Sequence, residues 1–184
     1  MRKVIYLMNV SLDGFIEGPN RELDWTSIDE ESYRFFNDQQ SDMGTLLYGR
    51  RLYEVMNYWE TADQNPSAPA YALEFARIWK RTPKIVFSKT LEQVQGNARL
   101  VRDNIAEEIA KLKQQPGKDL EVGGPNLAST FMQLGLIDEY RLVVHPVVLG
   151  SGTPFFPALD DKINLRLIET RTFGSGVVYL RYQY

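Results

Sequence analysis

The sequence predicts an α/β protein built on a mixed, mostly parallel β-sheet, with helices on both faces and an antiparallel hairpin at its end. Short apolar segments rich in β-branched residues alternate with helical patterns along most of the 184-residue chain. Two strand patterns then follow, residues 163–173 and 177–184, with Gly174-Ser175-Gly176 between them as the turn of a hairpin. Because no repeat or linker interrupts the chain, we expect one domain over residues 1–184.

The first elements are a strand and a helix. Residues 4–10 form an apolar run that predicts a buried strand, and the chain leaves it through a turn at Asp13-Gly14. Acidic residues open the next helix, residues 29–40, where they suit the positive end of the helix dipole. Tyr33 and Phe36 recur at helical spacing, so we expect them to face the core.

Two strands with polar ends follow. A strand over residues 45–48 turns at Gly49 directly into a helix, and a further helix over residues 71–80 places its apolar side chains on one face. The strand over residues 84–87 ends in Ser88-Lys89-Thr90. Ligands of open α/β sheets bind at such carboxyl ends, although a capped turn is the commoner meaning of an isolated tripeptide.

Residues 120–149 form a strand, a turn, a helix and a second strand. After a short strand over residues 99–101 and a helix over residues 104–115, an apolar run ends at Val122. Gly123-Gly124 then makes a tight turn into a helix that stops at Gly135. Residues 140–149 are almost continuously apolar, as in a strand covered on both faces.

Composition excludes several classes of protein and site. A net charge of -3 and a pI near 5.3 argue against nucleic-acid binding, which needs a clustered basic face. The chain has no cysteine and one histidine, His145, so thiolate or His-rich metal sites are impossible and no metal is expected. No segment approaches the roughly 20 apolar residues of a membrane span, which makes a cytoplasmic location the default expectation.

Two strand-to-helix corners are candidate anion sites. Glycine permits close approach of the backbone at Gly123 and Gly124, and the helix that follows presents unpaired N–H groups. The alternative is a packed connection with Asn126 as the helix N-cap. At Gly49, Arg50 and Arg51 open a helix against its dipole, so either a bound anion compensates them or both are solvated surface arginines.

The order of these motifs resembles that of a known superfamily. Their order is similar to that in dihydrofolate-reductase-like proteins, in particular in the C-terminal reductase domain of bifunctional riboflavin biosynthesis proteins. The motifs are SLDGFI, GRRLYE, SKT, VGGPNLAS and VVLGSGTPFF. The resemblance spans nearly the whole chain, and VGGPNL and LGSGTPFF are its most specific parts. It implies a three-layer dihydrofolate-reductase-like fold and NADPH as cofactor.

The resemblance also implies the site residues. It sets Gly49, Arg50, Arg51 and Leu52 against the pyrophosphate of NADPH, and Ser88, Lys89 and Thr90 beside the adenosine and its 2′-phosphate. It sets Gly123, Gly124, Pro125, Asn126 and Leu127 along the pyrophosphate and the nicotinamide side. The loop from Asp13 to Trp25 is implied beside the nicotinamide and the substrate.

The resulting hypothesis is NADPH-dependent hydride transfer to a C=N or C=O carbon of a small polar heterocycle or sugar-derived compound. Asp13 is the nearest candidate for binding the substrate or relaying a proton, although Asp-Gly is also an ordinary turn. His145 is either a buried neutral histidine or a catalytic acid. The alternative function is an NADP(H)-binding module without turnover. The relatives imply a homodimer built along the late strands.

Overall fold

Ten strands and five α-helices form the computed structural model, which describes residues 1–184. The strands are β1 Val4–Ser11, β2 Phe15–Glu17, β3 Met43–Gly49, β4 Lys84–Phe87, β5 Ala98–Val101, β6 Asp119–Gly123, β7 Glu139–His145, β8 Thr153–Pro154, β9 Arg166–Thr172 and β10 Val178–Gln183. The helices are α1 Glu30–Ser41, α2 Arg50–Met56, α3 Ala70–Arg81, α4 Ile105–Gln114 and α5 Pro125–Gln133. Two short 3₁₀ helices, Asn57–Glu60 and Ala62–Gln64, connect α2 to α3.

Eight strands pair in the order β5-β4-β3-β6-β1-β7-β10-β9. The six strands from β5 to β7 are parallel to one another, whereas β10 is antiparallel to both β7 and β9. β2 and β8 form a separate two-stranded ribbon. The predicted mixed sheet with a C-terminal antiparallel hairpin is confirmed.

Helices cover both faces of the sheet. Successive residues of a strand point to opposite faces, so Val4 and Ile5 of β1 belong to different cores. Val4 packs in a cluster that contains Ile109 of α4 and Phe131 of α5. Ile5 packs in a cluster that contains Trp79 of α3, and α1 closes the same side of the sheet nearer to the hairpin. None of the helices has the length and apolar character needed to cross a membrane.

Two local predictions were wrong, and one element was not predicted. β7 ends at His145 rather than at residue 149, because Pro146 has no N–H to continue the ladder and the chain turns away into the loop before β8. In α1 the fully buried aromatic residue is Phe35, which packs on Tyr179, and Phe36 is only partly buried. The ribbon of β2 and β8 was not predicted, since each strand has only two or three residues.

Candidate active site

The two glycine corners lie side by side at the carboxyl edge of the sheet. β3 and β6 are parallel neighbours, and the Cα of Tyr48 is paired with that of Gly123. α2 begins directly after β3 with Gly49 as its N-cap, and α5 begins after Gly124, which has φ 87°. Neither N-cap carries a side chain that accepts the first amide groups. Both corners therefore direct unpaired N–H groups to the same edge.

The structure corrects the alternative N-cap at the second corner. Gly124 is the N-cap and Pro125 occupies the first turn of α5, where its missing N–H costs nothing. Asn126 therefore lies inside the helix, and its side chain does not cap it.

Close packing explains the first glycine of the pair. A Cβ atom at Gly123 would lie 2.6 Å from Cδ2 of Leu52 and 3.1 Å from Cε1 of Tyr48. Leu52 of α2 therefore packs directly over the turn, which holds the two corners together. At Gly49 the nearest atom to such a Cβ is 3.7 Å away, so packing within the chain does not require glycine there.

A cavity of about 690 Å³ opens between the two corners. Eleven of the twelve residues predicted to bind the cofactor line it, namely Gly49, Arg50, Arg51, Leu52, Ser88, Lys89, Gly123, Gly124, Pro125, Asn126 and Leu127. The twelfth, Thr90, touches the site through a hydrogen bond from Arg50. The folded chain thus collects residues that are separated by almost 80 positions in the sequence.

The cavity is positively charged, in contrast to the acidic chain as a whole. Its charged lining residues are the cations Arg21, Arg50, Arg51, Lys89 and Arg102 and the carboxylates Glu17 and Glu54. Glu17 and Arg21 were predicted only as part of the loop from Asp13 to Trp25, and Arg102 was missed. Arg102 directly follows β5, whose end lies beside that of β4, so the rule that ligands bind at strand ends could have identified it.

Arg50 links the first corner to the loop after β4. Its Nε donates to Oε1 of Glu54 at 2.8 Å, and its Nη1 donates to Oγ1 of Thr90 at 3.1 Å. Its side chain is half exposed, so the guanidinium keeps further donors for a ligand. Glu54 thus compensates part of the charge that opposes the helix dipole.

Arg51 is held by a buried carboxylate. Its Nη1 and Nη2 donate to the two oxygens of Glu17 at 3.2 and 2.8 Å, and Oγ1 of Thr153 donates to Oε1 of Glu17 at 2.8 Å. Burial alone would raise the pKa of Glu17, but the hydrogen bonds from Arg51 and Thr153 lower it below its ordinary value. The pair, with Thr153, joins α2, β2 and β8 at the cavity wall.

The loop after β4 combines a capped turn with two cations. Oγ of Ser88 accepts the backbone N–H of Thr90 at 3.2 Å and that of Leu91 at 3.0 Å. Nη1 of Arg102 donates to the backbone carbonyl oxygen of Lys89 at 3.3 Å, which fixes the Arg102 guanidinium beside this loop. Lys89 has Asp103 3.4 Å away, but its side chain is 80% exposed, so this ion pair is weak.

Asp13 organises a loop and does not line the cavity. Its carboxylate accepts the Oγ–H of Ser11 at 2.7 Å and the backbone N–H groups of Leu149 and Gly150 at 3.0 and 2.7 Å. These bonds, with Ser11 the largest contribution, lower the pKa of Asp13 to about 2. Asp13 is therefore an anion at neutral pH that fixes the loop before β8, and the predicted turn at Asp13-Gly14 is present.

His145 is a buried neutral histidine with two partners. It is 1% exposed, its Nδ1 accepts the backbone N–H of Ser27 at 3.2 Å, and its Nε2 lies 2.9 Å from Oδ1 of Asn9. The ring of Trp25 packs against it edge to face at 5.5 Å. Burial lowers the pKa of His145, so the structural interpretation of this residue is confirmed.

Comparison with known proteins identifies relatives along the whole chain. The profile of the RibD C-terminal domain matches residues 2–179. The uncharacterized protein YyaP of Bacillus subtilis (strain 168) is 41% identical over 184 residues, which cover all of this chain and 95% of YyaP. The uncharacterized protein YwjB of the same organism is 30% identical and covers 96% of this chain and 95% of its own length.

Solved structures share the fold. A candidate riboflavin biosynthesis protein from Shewanella sp. PV-4 superposes with a TM-score of 0.75 at 22% identity, with 98% of each chain covered. A diaminohydroxyphosphoribosylaminopyrimidine deaminase/5-amino-6-(5-phosphoribosylamino)uracil reductase from Thermotoga maritima superposes with a TM-score of 0.69 at 14% identity, over 99% of this chain and 56% of that one.

These findings confirm the dihydrofolate-reductase-like fold and the branch of the superfamily predicted from the motifs. The profile match covers nearly every residue, and both Bacillus relatives match over almost their full length. The chain belongs to the RibD C-terminal domain family.

Proposed function

We propose that this protein is an NADPH-dependent reductase that transfers hydride to a small polar heterocycle, of the type reduced by 5-amino-6-(5-phosphoribosylamino)uracil reductases. The observation that supports it best is the pairing of the two glycine corners around one cationic cavity. Two helix starts without side-chain caps and several cations are what a diphosphate requires. Two proteins of the same fold, the Thermotoga uracil reductase and a pyrimidine reductase-like protein from Corynebacterium diphtheriae, support a pyrimidine as substrate class.

The residues present fit a dinucleotide. A volume of about 690 Å³ lies in the range of ligand pockets, about 300–1,000 Å³. We assign the diphosphate to Arg50 and to the first amides of α5 after Gly124. Arg50 keeps N–H groups that Glu54 does not use. The first amides of α5 have no side-chain cap. We assign the 2′-phosphate to Lys89 and Arg102, the exposed cations beside Ser88.

NADPH, when bound, supplies the hydride, and the chain supplies binding and orientation. The two carboxylates that line the cavity are both ion-paired, Glu17 with Arg51 and Glu54 with Arg50. Asp13 is an anion whose oxygens are occupied. Hydrogen bonds lower the pKa values of Glu17 and Asp13, so neither carboxylate has a proton to give at neutral pH. We propose that water delivers the proton that accompanies the hydride.

We also propose a homodimer that pairs along the hairpin. β9 is the outer edge strand, and all seven of its residues are exposed. Leu167 and Ile168 are large apolar side chains among them, and an uncovered edge strand of this length is usually paired or protected. Size-exclusion chromatography with light scattering tests this, and a monomer at micromolar concentration contradicts it.

The experiment for the reductase is a fluorescence titration with NADPH and NADH, followed by an oxidation assay with 5-amino-6-(5-phosphoribosylamino)uracil. We expect tighter binding of NADPH and oxidation that depends on the pyrimidine. Binding of NADPH without oxidation by this or related pyrimidines supports the binding module instead. The absence of NADPH binding contradicts both.

A further inference from the structure

Arg21 is a cation of the cavity wall that has no partner within the chain. The two carboxylates of the wall are taken by other arginines, Glu54 by Arg50 and Glu17 by Arg51. Arg21 lines the same cavity and is exposed, and its side chain makes neither a hydrogen bond nor an ion pair. All five N–H donors of its guanidinium are therefore free for a ligand.

The backbone of Arg21 has a conformation that arginine rarely adopts. Its φ is 66°, in the left-handed region, and Asn104 is the only other non-glycine residue with positive φ. A compact turn surrounds it, in which the backbone N–H of Gly18 donates to the carbonyl oxygen of Glu22 at 3.1 Å. Glycine adopts this φ more easily, so the turn itself does not require arginine. Residues held in left-handed backbone cluster at ligand-binding sites.

Further bonds fix the turn in place. Nε1 of Trp25 donates to the carbonyl oxygen of Glu22 at 3.1 Å, and the backbone N–H of Arg21 donates to that of Gly18 at 2.9 Å. Directly before the turn, Glu17 is tied to α2 by its ion pair. The guanidinium is thus carried by a backbone of defined position, which reduces the entropy lost when it binds a ligand.

The anions of the cofactor have other donors. The diphosphate is assigned to Arg50 and the first amides of α5, and the 2′-phosphate to Lys89 and Arg102. Arg51 is neutralised within the chain. Among the five cations of the cavity wall, Arg21 is the one that is left for a further anion.

Apolar surface lies in the same part of the wall. Leu23, two residues after Arg21, and Val55 of α2 both line the cavity, and they are 53% and 56% exposed. No residue of the chain covers them. Exposed apolar side chains together with one unpaired cation suit a ring compound that carries an anionic substituent.

We propose that Arg21 binds an anionic substituent of the substrate, a phosphate or a carboxylate, and that Leu23 and Val55 contact the remainder of the molecule. This inference rests on the proposed reductase function and adds that the substrate is negatively charged and that Arg21 selects it. The guanidinium presents paired N–H groups that match two oxygens of either substituent. A neutral heterocycle offers no such partner.

The first test compares two compounds that differ by one phosphate, 5-amino-6-(5-phosphoribosylamino)uracil and 5-amino-6-ribosylaminouracil. Arg21→Gly removes the guanidinium and adopts a φ of 66° without strain, so it should be at least as stable as the unmodified chain. We expect its kcat/KM to fall by about tenfold or more for the phosphorylated compound and to change by less than about twofold for the other. Arg21→Lys keeps the charge and should lose less.

The control is Arg77→Ala, at an exposed arginine of α3, which should leave the kcat/KM of both compounds unchanged. An equal loss for both compounds in Arg21→Gly overturns the inference, because the residue would then act through the loop and not through the phosphate. An NADPH Kd that is weakened about tenfold in Arg21→Gly also overturns it, since the anion would belong to the cofactor.

A binding measurement decides the case in which neither pyrimidine is reduced. Calorimetry on the protein saturated with NADP⁺ should show ribose 5-phosphate binding about tenfold or more tightly than ribose, and Arg21→Gly should abolish this difference. Equal binding of the two sugars to the unmodified chain overturns the inference. Absence of NADPH binding to the unmodified chain marks failure of the proposed function itself.

Discussion

Arg51 and Glu17 form a two-point ion pair in the wall of the cavity, with N–O distances of 3.2 and 2.8 Å. The sequence suggested that a bound anion compensates the arginines after Gly49, and for Arg51 the compensating anion belongs to the chain. Because Glu17 is buried, displacing it from Arg51 would leave an unpaired charge at a cost of several kcal/mol. Arg50, which is half exposed, is therefore the better ligand for a diphosphate.

Replacement of Gly123 by alanine tests the packing of the corner. Its Cβ would meet Leu52 at 2.6 Å, so we expect Gly123→Ala to lower the free energy of unfolding by about 1–3 kcal/mol. Gly49→Ala is the matched control, because its Cβ has no neighbour closer than 3.7 Å. Urea denaturation measures both, and equal stabilities of the two variants would contradict the packing described.

The preference for NADPH over NADH tests the two cations beside Ser88. We expect the double replacement Lys89→Ala and Arg102→Ala to weaken NADPH binding by about tenfold or more, because charged hydrogen bonds to the 2′-phosphate are lost. NADH has no such phosphate, so its affinity should change little. Arg34→Ala, an exposed ion pair on α1, is the control. A parallel loss for both cofactors would place the 2′-phosphate elsewhere.

The pH dependence of stability should reveal Glu121. Burial raises the pKa of this carboxyl in β6 to about 7, although Arg141 and the hydrogen bond from Gln40 oppose the shift. Because folding raises this pKa, proton binding by Glu121 stabilises the folded state. This stabilisation is complete below about pH 4.5 and is lost as the pH rises through about 7. Glutamine does not titrate, so Glu121→Gln should remove this loss. Relative to the unmodified chain, the free energy of unfolding of the variant should be higher at pH 8 than at pH 5 by on the order of 2–3 kcal/mol.

Urea denaturation at pH 5 and pH 8 provides the measurement for Glu121. Glu107→Gln, at an exposed position of α4, is the control and should show no such difference between the two pH values. If Glu121→Gln changes the free energy of unfolding equally at both pH values, Glu121 does not titrate between them.

Replacement of Asp13 separates loop order from catalysis. Asp13→Asn cannot accept from both Leu149 and Gly150, so we expect faster hydrogen exchange of these two amides. The rate of hydride transfer in a single turnover should fall by less than about tenfold, because the group is not a proton donor. A fall of several thousandfold with unchanged exchange would instead assign Asp13 a catalytic role.

Local patterns predicted most of the fold. The strand, glycine turn and helix around Gly123 were recognisable because each signal lies within a few residues. The end of β7 was missed because the apolar run continues to Leu149, although Pro146 is a local signal that the ladder stops after His145. In α1, Phe35 and Phe36 are equally apolar, and only contacts with residues distant in the sequence, Phe173 and Tyr179, select Phe35.

The candidate site was predictable where glycine or arginine marks a strand end and unpredictable where partners are distant. Glu17 and Arg51 are 34 positions apart, so no local pattern could pair them.

The central claim, that the corner at Gly49 binds the diphosphate of NADPH, is tested most directly by the affinity of the Arg50→Ala variant. Titration of NADPH fluorescence should give a Kd at least about tenfold weaker than that of the unmodified chain, because charged donors to the diphosphate are lost. Arg77→Ala, an exposed arginine on α3, should bind NADPH normally. Unaltered affinity in Arg50→Ala would contradict the assignment of this corner.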